Sequence, residues 1–153
     1  MKHTTTFAVL MAIALGAGAS SARAAPLSRY GVFVFGTTCT NPESDDTGGS
    51  RLTVMRTGDG DYALYQWSEG PEVAAEGLDV LIDSSGSHIS FSVLLPGAPA
   101  ETRYTQSFTG LISTEAVTLS GGYSPVGKPF TLPRVTDLAA PKPICQPLSG
   151  DQK

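Results

Sequence analysis

Gln106 lies on one side of a period-two run with Tyr104, Phe108 and Ile112, an amide set between aromatic rings. Such a group must find hydrogen-bond partners or cost roughly 1–3 kcal/mol when buried. It is also the kind of polar contact with which an apolar pocket orients a small molecule. Phe91 belongs to the preceding run. With Tyr104, Gln106 and Phe108 it forms the set expected around a small apolar ligand. Gln66 alternates with Tyr62 and Leu64. The same reading turns it inward and places Tyr65 and Trp67 outward.

The other chemically capable residues fall short of a reactive set. His88 is the one imidazole outside the first few residues, so any Ser-His or Cys-His mechanism would have to use it. It shares its face with Ser90 and Ser92, read here as the solvent face. Asp46-Thr47-Gly48 follows Pro42-Glu43-Ser44-Asp45 in a polar loop. Acid–base work by such a triplet needs a second carboxylate and a buried, apolar approach. Asp59 and Asp61 flank Gly60, too few oxygens for a calcium loop. No catalytic residue, metal or cofactor is expected.

Cys39 and Cys145 are the only cysteines. Zinc would need more ligands than they and one histidine supply. In an exported chain an even pair reads as a disulfide, here a structural one that ties the Pro-rich tail back to the end of the first strand.

Export itself is expected from the first 24 residues. Lys2 and His3 precede an apolar run from Phe7 to Leu15, and Ala22-Arg23-Ala24 suits signal peptidase. The run is too short for a membrane span, so no integral membrane segment is expected after cleavage. Residues 25–153 then form one domain, ending in a tail from about residue 138 that the disulfide holds. Apart from Lys2 and Arg23, eight basic residues face fourteen acidic ones. That balance argues against nucleic acid as a partner.

These side chains must be positioned by strands. Tyr30–Gly36, Arg51–Arg56, Asp61–Trp67, Leu78–Asp83, Ser87–Leu95, Arg103–Ile112, Ala116–Gly122 and Pro129–Val135 alternate or are bounded by turn residues. Thr37–Ser50 and Ser68–Gly77 read as polar connections, the second with one helical turn begun by Pro71. The fold class is therefore all-β, with about eight antiparallel strands in an up-and-down meander. Closure into a small barrel removes the unpaired edges. A two-sheet β-sandwich is the alternative. Ser and Thr at the outward positions of the later strands argue against a lipid-facing barrel.

Phe108-Thr109-Gly110 and Ser120-Gly121-Gly122-Tyr123, with Arg134 at the end of the last strand, resemble steps in calycin-type barrels, lipocalin-like or streptavidin-like. The resemblance covers about a third of the exported chain and implies architecture. It carries no binding residue, because Tyr30-Gly31-Val32-Phe33 lacks the lipocalin tryptophan and Trp67 is the sole tryptophan.

The function expected from sequence is a secreted or periplasmic, non-enzymatic binding protein with a small apolar ligand inside its barrel. The rival is a protein-interaction module, such as a protease inhibitor or an envelope protein, with a protein partner recognised through the Thr37–Ser50 or Ser68–Gly77 loop.

Overall fold

The computed structural model describes residues 24–70, 72–96, 103–122 and 128–145. All but the last residue of the expected export signal (1–24), Pro71, residues 97–102, Tyr123 and the end of the tail lie outside them. Nine strands make one antiparallel sheet, and no helix occurs among the described residues. They are β1 (Gly31–Gly36), β2 (Cys39–Thr40), β3 (Thr47–Arg56), β4 (Asp61–Gly70), β5 (Glu72–Ile82), β6 (His88–Pro96), β7 (Arg103–Ile112), β8 (Ala116–Gly121) and β9 (Phe130–Pro133).

Eight of the nine follow the chain around the sheet in the order β1-β3-β4-β5-β6-β7-β8-β9, and the two-residue β2 pairs with β3. The ends of this meander meet. Arg134, just past β9, bridges to Phe35 in β1, and the Val135 amide donates to the Val34 carbonyl at 2.8 Å. The sheet is thus a nearly closed barrel rather than a sandwich of two sheets.

Register carries the core. Phe33 and Phe35 lie opposite Val54 and Leu52, and these in turn lie opposite Ala63 and Tyr65. Val93 faces Gln106, Phe91 faces Phe108, and Val117 faces Leu132. With the exception of half-buried Gln106, all of these are buried, each large apolar one stabilising the fold by roughly 1.5–3 kcal/mol on the transfer scale. Small residues make the space for large ones. A Cβ on Gly77 would lie 2.9 Å from that of Ala63, so only glycine lets β5 approach β4 there.

Two of the expected connections are strand. Ser68 to Gly77 holds the end of β4 and the first half of β5, in register from Leu64↔Glu76 to Ser68↔Glu72, so its described residues are strand, with neither a long loop nor a helical turn among them. Backbone pairing continues where side-chain alternation fades, because ladder hydrogen bonds do not depend on side-chain type. Thr37–Ser50 is likewise shortened: β2 occupies Cys39–Thr40, β3 begins at Thr47, and the exposed turn between them is closed by Asn41 N–H to the Asp46 carbonyl.

β5 also carries a bulge between Leu78 and Leu81, with Asp79 at φ 51°. The extra residue resets the alternation, so Gly77, Val80 and Ile82 face the core while Leu78 and Leu81 face outward. Aspartate is among the few residues that tolerate this left-handed conformation.

The two ends of the barrel differ. At the β3–β4, β5–β6 and β7–β8 turns, the amino-terminal segment folds across. Leu27 donates its N–H to the Gly86 carbonyl, Ala25 accepts from Thr114, and the Leu27 side chain joins the core. The opposite end is reached by β4–β5, β6–β7 and β8–β9, and it carries the disulfide. Cys39 and Cys145 are joined, with Cα atoms 4.9 Å apart. The strap is aligned by Thr40 N–H to Pro143 O at 2.8 Å and Cys145 N–H to Thr40 O at 2.9 Å. Gly48 lies beneath it, where a Cβ would sit 3.2 Å from the Cys145 Sγ.

Candidate functional site: the aromatic mouth of the barrel

Tyr104, Gln106, Phe108, Gly110 and Ile112 occupy the core-facing side of β7. Burial deepens along it, from half-buried Tyr104 and Gln106 to buried Phe108. The reason is the pleat: alternate side chains share one face, and the strand runs inward from the disulfide-bearing end. Phe91, opposite Phe108, stacks on it with ring centroids 5.0 Å apart and planes 15° apart. The four predicted ligand residues therefore share one surface. Gln106 and Tyr104, half-buried, lie toward the mouth, and Phe91 and Phe108 are packed beneath them, each 2% exposed.

β4 supplies the facing wall, in the opposite phase to the one predicted. Tyr65 is buried and Trp67 packs against the core, whereas Tyr62 and Leu64 are exposed and Gln66 lies on their side. Gln66 is therefore not an inward amide. Both sides of this strand carry apolar residues, so period two identified the strand without fixing its face. Tyr65 lies 4.9 Å from Phe108, centroid to centroid, and Trp67 stacks on Tyr65 at 5.8 Å. Phe130, from β9, meets the edge of Phe108 at 6.5 Å. Aromatic pairs at such separations add about 0.5–1.5 kcal/mol each beyond the area they bury.

Polar groups punctuate this lining. Tyr65 Oη and Ser50 Oγ are 3.2 Å apart. Burial pushes the Tyr65 phenol above its ordinary value, and the Ser50 hydrogen bond works against that rise. The phenol is thus neutral at physiological pH and able to donate. Ser68, buried further along β4, donates to the Thr47 carbonyl. No hydrogen bond links the Gln106 amide to another described residue. Chemically, the mouth combines aromatic faces with a neutral phenol and an amide that both donates and accepts.

The remaining candidates lie elsewhere. His88 is exposed on the outer face and its Nδ1 is 3.0 Å from Asp83 Oδ2, a pairing missed in sequence because Asp83 was read only as a strand end. Asp46 sits in the exposed turn before β3. Asp61 Oδ1 accepts from Arg56 Nε at 3.0 Å, fixing the end of the β3–β4 hairpin. Arg134 lies over Phe33 and Phe35, its guanidinium carbon 4.9 and 5.5 Å from the ring centroids, and Nη2 donates to the Val32 carbonyl at 3.2 Å. Burial lowers its pKa below the ordinary guanidinium value.

Comparison with known protein families, curated proteins and solved structures finds no match for this chain. The barrel fits the architecture that the calycin resemblance implied, and no family stands behind it.

Proposed function

We propose that this is a secreted or periplasmic, non-enzymatic binding protein that holds a small, largely apolar molecule at the aromatic mouth of its barrel. The observation that carries the reading is Gln106: an inward-facing, half-buried amide between Tyr104 and Phe108, joined by hydrogen bonds to no other described residue. A ligand ring or chain would lie against Trp67 and Tyr104, above the packed Phe108 ring, and one polar group would meet the Gln106 amide. Phe91 acts from below by fixing the Phe108 ring. A disulfide formed between strand and tail suits an oxidising compartment, in keeping with the export segment read from residues 1–24.

Trp67 is the only tryptophan, so its emission reports on the mouth directly. Titration with palmitic acid, haemin and 1-naphthylamine, paired with thermal melts, tests the proposal. At least one is expected to change Trp67 emission saturably and to raise the melting temperature. Gln106→Leu is expected to weaken a ligand bearing a hydrogen-bonding group about fivefold to a hundredfold, in line with roughly 1–3 kcal/mol for an unmet polar partner. The absence of any saturable change with all three would overturn the reading. A shift that Gln106→Leu and Tyr104→Ala leave intact would remove these residues from the site.

A further inference from the structure

On the outside of the barrel a groove of about 680 Å³ crosses β5, β6, β7 and β8, within the size range of small-molecule sites. Its floor is a row of hydroxyls. Ser90 is in register with Thr109, and Thr109 with Ser120, so strand spacing sets neighbouring backbones about 4.8 Å apart. Its flanks are apolar. Leu81 is 67% exposed and Leu111 59% exposed, and Leu81 stands out because the β5 bulge lifts it from the sheet.

The charge in the groove narrows what could lie there. Among the described residues no Lys or Arg lines it, and its one imidazole, His88, is already paired with Asp83, so little is left to attract an anion. Its one carboxylate, Asp83, already accepts four hydrogen bonds: from Ser85 Oγ at 2.7 Å, Ser87 N–H at 2.8 Å, His88 N–H at 3.1 Å and His88 Nδ1 at 3.0 Å. A cation would compete with all of them. With Asp83 accepting at Nδ1, the His88 ring is fixed in orientation, and its other nitrogen remains an acceptor when the ring is neutral.

We infer that this groove is a second binding site, separate from the mouth, for a neutral saccharide. Hydroxyls in a row both donate and accept, as a sugar's own hydroxyls require, and their spacing is on the scale of one sugar ring. Exposed Leu81 and Leu111 would cover the apolar faces of the rings. A fully apolar ligand would leave Ser90, Thr109 and Ser120 without partners and is disfavoured.

The test is an amide-resolved NMR titration of the whole protein with maltotriose, cellotriose and chitotriose, run beside a capped, uncharged Leu-Ser-Leu peptide. At least one sugar is expected to move the Ser90, Thr109 and Leu111 amides together, leaving the Trp67 indole signal in place. Thr109→Val and Leu111→Asp should each weaken that binding at least fivefold. Both residues face outward, so a thermal melt near that of the parent shows that the fold is kept. Movement with the peptide alone, movement confined to the mouth, or no movement with any sugar would overturn the proposal. So would sugar binding that both variants retain. Failure of the mouth to bind apolar probes leaves this result unaffected.

Discussion

Asp83 shows how much a single carboxylate can organise in a turn. Its acceptors hold the β5–β6 hairpin and the His88 ring at once, and its pKa is held below the ordinary carboxylate range, first by the Ser85 hydroxyl and then by the Ser87 amide, with His88 adding to both. A carboxyl with a depressed folded pKa contributes stability that is fully present above its unfolded value, ordinarily 3.8, and is lost as pH falls through the folded value. The urea midpoint of the parent should therefore decline below about pH 4 more steeply than that of Asp83→Asn, which has no proton to gain at this site. Parallel declines in the two proteins would show that the turn contributes nothing to acid sensitivity. At this scale the sequence was legible where one side of a strand is polar. On β7, threonines and serines opposite Tyr104, Gln106 and Phe108 left one choice of face. On β4, Tyr62 and Leu64 outside and Ala63 and Tyr65 inside are all apolar, and small Ala63 weighs little against Leu64. The facing wall of the candidate site, Tyr65 and Trp67, was therefore assigned to solvent.

At the level of elements, the disulfide strap tests most cleanly. Cys39 and Cys145 close a loop across 106 residues of sequence, and Thr40, Pro143 and Cys145 share a short parallel bridge beside it. Replacing both cysteines by serine should cost roughly 4–5 kcal/mol on the chain-entropy account, read as a lower urea midpoint with an altered slope if the unfolded state expands. A loss below about 1 kcal/mol would mean that the strap is held by its backbone bonds instead. The pairing was legible from cysteine count alone. The strand lengths beside it were not: Gly48, Gly49, Ser68 and Glu69 look like loop, yet they pair in β3 and β4. The bulge at Asp79 was equally silent, because nothing in Leu78-Asp79-Val80-Leu81 separates an extra residue from a regular one.

For the molecule as a whole, the seam between first and last strands is the decisive joint. β9 is four residues long and ends in Pro133, which has no N–H to give, so Arg134 takes over part of the closure with its backbone bridge, its bond to the Val32 carbonyl and its stacking over Phe33 and Phe35. Arg134→Ala should cost about 1–3 kcal/mol. In hydrogen exchange, Val135, whose amide crosses the seam, should lose protection before the amides of β6 and β7. Uniform loss across the sheet would instead indicate that the barrel opens only by global unfolding. Closure was anticipated from the need to hide strand edges, and Arg134 was marked by resemblance as an end-of-barrel residue. What sequence did not reveal was how few bonds complete the circle.

The two cysteines sit near opposite ends of the chain, which gives their order of appearance a meaning. Were the chain exported as proposed, amino terminus first through a translocon, the Cys39 thiol would emerge long before Cys145 and wait, reduced, while nearly every strand arrived. With no third cysteine available, the one mistake open to a waiting thiol is to join another copy, so premature oxidation would yield covalent dimers rather than scrambled monomers.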